Sequence, residues 1–247
     1  MQPQADIKYV ARLDWVREIS LLGAADLEYW REALEDEDVM LADVDGRAQV
    51  LIIAAAAEYM GIGFHEVSIS LVLEGFHGEK VPGAYLWQAF NSRRLFAFCE
   101  RVLFRTPYAH AEVDLNCWPA LIQISQRGNP IIRAENSAGH ALQAREPQWM
   151  GEDGWSGPVL LPGGSRRDKK DGRLFFAKIS GETRVYPFLP SDGLVLKPAE
   201  GCDIGQRLLD SHFTGQHWIV REDASHAKSK TYRRATAIDQ IIESSRA

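Results

Sequence analysis

Cysteine is scarce in this 247-residue chain: Cys99, Cys117 and Cys202 are odd in number, widely spaced and set in apolar or turn contexts. That excludes a disulfide framework and a Cys-x-x-Cys metal clamp, and makes a reducing cytoplasm the expected setting. The opening "MQPQADIKYV" lacks the basic segment and apolar core of a signal peptide. No apolar run approaches the roughly 20 residues that span a bilayer, so "VLIIAAAA" reads as core and no membrane partner is expected. A basic stripe is missing too. With 28 Lys and Arg against 34 Asp and Glu, dispersed along the chain, the net charge is −6. Nothing in that distribution matches a nucleic-acid backbone or an acidic membrane.

Several catalytic signatures are also absent or incomplete. There is no G-x-S-x-G elbow for acyl transfer. His110-Ala111-Glu112 matches the H-x-E of zinc nucleobase deaminases, but the companion P-C-x-x-C does not occur. "GGSRRDKK" lacks the spacing of a phosphate-binding loop. His212 and His217 are five residues apart, which puts them on opposite faces of a strand and out of reach of one metal. Neither a metal nor a cofactor is expected.

The residues that are present describe a globular protein: 45% hydrophobic and 25% charged. One β-rich domain over 1–247 is the expectation. A strand from Val10 to Leu22 leads to "DLEYWREAL", where Leu27, Trp30 and Leu34 recur at helical spacing behind Asp26 as cap. Strands follow over Arg47 to Tyr59 and Phe64 to Phe76. In the second, Val67, Ile69, Leu71 and Leu73 alternate with Glu66, Ser68, Ser70 and Glu74. "GIG" at 61–63 permits a tight connection, so the two should pair antiparallel. "AYLWQAF" reads as the next strand, and "SRRLFAFCERVLF" as a helix with Leu95, Phe98, Cys99, Val102 and Leu103 in an apolar stripe. Pro107 stops it. Short strands continue through "YAHAEVDL", "ALIQIS" and "PIIRAENS". Residues 146–172, rich in Gly, Pro and charge, read as a long loop that is either mobile or a lid. Beyond it, "RLFFAKIS", "TRVYPFL", "GLVLKP" and "QHWIVR" read as strands.

The run from Arg17-Glu18 through "VLIIAAAAEYMGIGFHE" to "GEKVPGAYLWQAFNSRRLFAFCERVLFRTPY" resembles the acetoacetate decarboxylase family, and more closely the bacterial proteins that share its fold without the Schiff-base lysine. The resemblance covers residues 10–136 and, more loosely, the later strands. It implies a closed or nearly closed antiparallel β-barrel, mainly β, with two or three peripheral helices and an internal pocket. In that family the turn after the helix supplies a lysine pair, one of which forms an imine with a β-keto acid. Here the turn is Arg105-Thr106-Pro107-Tyr108, and no lysine occurs between Lys80 and Lys169. An arginine cannot serve as the nucleophilic amine. The family's second pocket glutamate would fall near Leu51 or Ile52, so it too is missing.

The resemblance makes Glu66 a pocket acid or base; on pattern alone it is equally a solvated strand carboxylate. Arg17 falls where the family has an early arginine, able to clamp a carboxylate or simply face solvent. Arg105 can contact a ligand or cap its helix, an effect of about 0.3–1 kcal/mol. Tyr108 and His110 share a strand face, as do Tyr85 and Trp87, and each pair suits either a pocket wall or ordinary packing. Two functions follow. One is a barrel that binds a small organic ligand such as a carboxylic acid, without imine chemistry. The other is a lyase or isomerase using Glu66 as general acid or base. Homo-oligomerisation is left open.

Overall fold

The structure is a computed structural model describing residues 7–137, 148–149, 154–163, 172–234 and 237. The first strand, β1 (Tyr9–Asp26), ends where the Asp26 carboxylate accepts the Tyr29 N–H at 2.8 Å. That cap starts α1 (Leu27–Ala33), which buries Leu27 and Trp30. Two short strands, β2 (Val39–Leu41) and β3 (Asp43–Val44), precede the long hairpin of β4 (Arg47–Tyr59) and β5 (Ile62–Phe76). Its turn places Met60 and Gly61 at φ 51° and 77°. β6 (Gly83–Asn91) leads to α2 (Arg94–Cys99), which passes into a π-helical turn over Glu100–Phe104. Arg105, at φ 56°, ends that turn in the left-handed region.

After the turn come β7 (Tyr108–His110), β8 (Glu112–Asn116), β9 (Leu121–Gln126) and β10 (Asn129–Glu135). Next are β11 (Gln148–Trp149), β12 (Trp155–Leu161), β13 (Arg173–Ser180), β14 (Arg184–Pro187) and β15 (Gly193–Leu196). The chain finishes with α3 (Ile204–Asp210), β16 (Thr214–Ser229) and β17 (Tyr232–Arg233).

The strands β16, β1, β4, β5, β6, β12 and β13 pair in that order, and β13 pairs back with β16, closing a ring. The expected closed β architecture is thus present. One junction differs from the expected antiparallel pattern, because β6 and β12 run parallel. They approach so closely that a Cβ on Gly83 would lie 2.7 Å from the Pro158 carbonyl oxygen. Only glycine fits there. The second sheet has the order β15-β10-β9-β8.

The period-two pattern assigns the two faces of the wall. Ile19, Leu21, Ile52, Ala54, Val67 and Ile69 leave the ring outward and share one core with Ile122, Ile124 and Ile132 of the second sheet. Each of the fully buried Ile, Leu and Val side chains contributes about 1.5–3 kcal/mol over an exposed one. The alternate residues, Glu18, Ser20, Glu66 and Ser68 among them, face the ring interior.

Two sequence expectations are corrected. The stretch 146–172 is not one long loop: its described residues include β12, a wall of the ring, where Val159, Leu160 and Leu161 are buried. The remainder of that stretch, apart from β11, Gly154 and the flanks 162–163 and 172, lies outside the described residues. The helix expected over Ser92 to Phe104 is only partly α, and its apolar stripe is not buried: Leu95 is 63% and Leu103 70% exposed. Helical spacing identified the face but not what covers it.

Candidate binding site in the ring interior

Strict alternation from Leu13, which pairs with His226, would turn residues 15 and 17 inward. Instead β1 carries register shifts between Leu13 and Val16 and again between Val16 and Glu18, with Trp15 at φ 60°. These irregularities exchange the faces. Glu18 points into the ring, while Arg17 and Trp15 point out.

The Glu18 carboxylate is completely buried and fully engaged. His226 Nε2 lies 2.7 Å from Oε2, the Ser20 hydroxyl donates to Oε1 at 3.1 Å, and Arg221 Nη1 pairs with Oε1. Burial works to raise its pKa. The hydrogen bond from His226, the charges of Arg221 and His226 and the Ser20 hydroxyl outweigh burial and hold it at about 2. For His226, burial favours the neutral ring, but the hydrogen bond to Glu18 and the charges of Glu18 and Glu66 prevail and raise its pKa.

Beside this pair sits a second group. Glu66 Oε2 accepts the Tyr108 hydroxyl at 3.2 Å. Burial, then the charge of Glu100, raise the Glu66 pKa, against the opposing effects of His226, Lys228 and the Tyr108 bond. The side chain still keeps part of its surface accessible. Burial and the Glu66 charge push the Tyr108 phenol well above its ordinary value. Glu100, at the start of the π-helical turn, pairs with Lys228 and accepts the Thr106 hydroxyl at 2.8 Å. The Lys228 ammonium also lies 4.5 Å from the Phe104 ring centroid and 4.6 Å from that of Phe175. Side chains from β1, β5, β13 and β16 meet on one face because the ring curves around it. Beside Tyr108, Leu86, Ala89, Val159, Leu161 and Phe175 form an apolar cluster.

The structure therefore brings Glu66 and Tyr108 together and places the other sequence candidates elsewhere. Arg17 lines an outer groove of about 850 Å³ with Trp15, His65 and Arg93. Arg105 is exposed at the helix end, and His110 is exposed on β7. Tyr85 is buried in the main core and donates to Glu37 Oε1 at 3.0 Å. Trp87 stacks edge-on against Trp30 under Arg207. It shares the face of Tyr85, as period two requires, and that face packs on the core outside the ring. Lys80 is exposed in an ion pair with Glu74 at 2.8 Å.

Sequence reasoning missed Glu18, Glu100, Arg221, His226 and Lys228. The lysine of the interior comes from the last long strand, not from the turn after the helix. A signal exists in "ASHAKS", where Ala224, His226 and Lys228 recur with period two and continue the strand beyond "QHWIVR". Among the described residues no cluster of His, Cys, Asp and Glu is arranged to hold a metal ion.

Solved structures share this fold. An acetoacetate decarboxylase from Legionella pneumophila superposes with a TM-score of 0.63 at 11% identity, over 92% of this chain and 88% of that one. The chain has the acetoacetate decarboxylase-like fold. The enduracididine biosynthesis enzyme MppR, complexed with pyruvate, gives 0.59 at 12% identity over 94% and 93% of the two chains. An acetoacetate decarboxylase-like enzyme from Sphingomonas wittichii RW1 gives 0.55 at 11% identity over 90% and 93%. No protein-family model and no curated protein matches the sequence. At such identities the likeness is one of fold, and the roles of residues inside this acetoacetate decarboxylase-like ring rest on their own geometry.

Proposed function

We propose that the ring interior binds a small organic acid, held by the Lys228 and His226 cations with Glu66 and Tyr108 as neutral hydrogen-bonding partners, and that no imine step is involved. The observation that carries this reading is the balance of charge around Glu66. Three basic groups, Arg221, His226 and Lys228, are paired with two carboxylates, Glu18 and Glu100, and the pKa of the third carboxyl, Glu66, is raised toward the neutral form. One positive charge is left for a ligand carboxylate, and an enclosed setting strengthens that attraction. The apolar cluster around Phe175 suits the ligand's hydrocarbon part.

Lys228 acts here as an ion-pairing group. An amine must shed its proton before it attacks a carbonyl, whereas the Lys228 ammonium is engaged in an ion pair with Glu100. Borohydride reduction in the presence of acetoacetate or pyruvate should trap no adduct, and mass-spectrometric detection of one on Lys228 would sink the proposal. The second reading, proton transfer by Glu66 as general acid or base, is favoured by its raised pKa, which moves a carboxyl toward the range where it exchanges protons usefully.

Calorimetric titration of a panel of short carboxylic acids tests both readings. Above the raised pKa of Glu66, where the free protein holds it ionised, binding of an anion should draw a proton onto it, so the heat there should vary with the ionisation enthalpy of the buffer in the natural protein and not in Glu66→Gln. Equal affinity and equal proton uptake in both proteins would remove Glu66 from the site. Turnover of any member of the panel, lost in Glu66→Gln, would select the enzyme.

A further inference from the structure

The helical edge Arg94–Phe104 combines two features that the interior site does not explain. Leu95, Phe98, Val102 and Leu103 form an apolar ridge in solvent, each more than half exposed. Arg93, Arg94, Arg101 and Arg105 around it are also exposed. The segment's only acidic side chain, Glu100, is turned away into its ion pair with Lys228. A protein of net charge −6 thus presents four outward arginines along this segment, against the exposed Glu58 of the neighbouring hairpin, which lines one groove with Arg93. The neighbouring β4–β5 turn extends the apolar surface: Tyr59 packs its ring on Phe96, Met60 is 84% exposed, and the Arg93 guanidinium holds the turn through the Gly63 carbonyl at 2.9 Å.

We propose that this edge docks on the surface of an anionic membrane, with the ridge entering the interfacial layer and the arginines meeting acidic headgroups. An apolar face bordered by cationic side chains is the pattern of helices that lie in a bilayer interface. Docking needs no span, and no helix among the described residues is long and apolar enough to cross a membrane. A second copy of the chain fits the edge less well. A two-fold contact centred on the ridge sets the same four arginines against one another, with Glu58 the one exposed carboxylate of the adjoining turn to offset them. The same segment carries Glu100 and leads into Thr106 and Tyr108, so the docked surface adjoins the polar cluster of the ring.

The test is sedimentation of the full chain with vesicles of phosphatidylcholine alone and of phosphatidylcholine containing about 30% phosphatidylserine. The protein should pellet with the anionic vesicles only, and the bound fraction should fall as salt is raised. Arg94→Glu with Arg101→Glu should weaken binding at least about tenfold, since each cation near such a surface contributes on the order of a factor of five. Leu95→Ser with Leu103→Ser should weaken it comparably while leaving the circular dichroism and melting curve unchanged, because both side chains are solvent-exposed. The proposal is overturned if the natural protein binds neither vesicle or both equally. It is also overturned if sedimentation velocity shows a dimer that the serine pair dissociates and anionic vesicles do not compete for.

Discussion

Glu18→Gln removes the one fully buried carboxylate of the ring interior with almost no change of shape, leaving Arg221 and His226 to face an amide. Folding holds this carboxyl at about 2, against 4.5 for the free side chain. At about 1.36 kcal/mol per pKa unit, the ionised form is favoured in the native state by roughly 3 kcal/mol. That lies at the low end of the roughly 3–5 kcal/mol lost when one partner of a buried ion pair is removed, and His226 can shed its proton to limit the damage. The variant should therefore lose roughly 3 kcal/mol at pH 7, about 6–12 °C in Tm for a chain of this size. The pH dependence follows from the direction of the shift. A carboxyl whose folded pKa is depressed contributes above its unfolded value and loses that contribution as pH falls through the folded one. The gap between the two proteins should be full above pH 4.5 and shrink as pH drops toward 2. The His226 pKa, raised chiefly by Glu18, should move down in the variant, visible in the imidazole proton shifts by NMR. Urea unfolding across that pH range is the assay. A stability within about 0.5 kcal/mol of the natural protein, with an unmoved His226 titration, would refute the account of the cluster.

Tyr108→Phe removes a hydrogen bond that works to lower the Glu66 pKa, so Glu66 should titrate higher still in a carboxyl-carbon NMR titration; a fall would contradict the assigned geometry. Glu100→Gln has the opposite sign, because it deletes a charge that raises the Glu66 pKa, and the Glu66 titration should move back toward 4.5. Arg234, 3% exposed, donates to Glu37 Oε2 at 2.8 Å and to the Glu37 and Leu161 carbonyls at 2.8 and 2.5 Å. Arg234→Ala should cost about 3–5 kcal/mol in urea unfolding by removing the charge partner of Glu37, which keeps only the neutral donors Tyr85 and Gly163. A loss under about 1 kcal/mol would show that Glu37 finds other partners.

Local chemistry wrote much of this fold into the sequence. The alternation of β5 separates Val67 and Ile69 from Glu66 and Ser68, the Asp26 cap starts α1, and β4 runs over Arg47–Tyr59 as its apolar content indicates. These are near-neighbour effects, set by pleat and by capping, and they can be read without knowing the partner strand. The interior is different, because a side chain enters it only through pairings with distant strands. Glu18 replaces Arg17 inside because β1 has to match β16 across register shifts that no local pattern marks. β12 is a strand despite its Gly and Pro because β6 and β13 offer it two edges. Lys228 joins Glu66 across some 160 residues of chain because the ring closes between β13 and β16. The absence of lysine from the helix turn was plain in the sequence, while the cation that stands in the interior could be placed only by the closure of the ring.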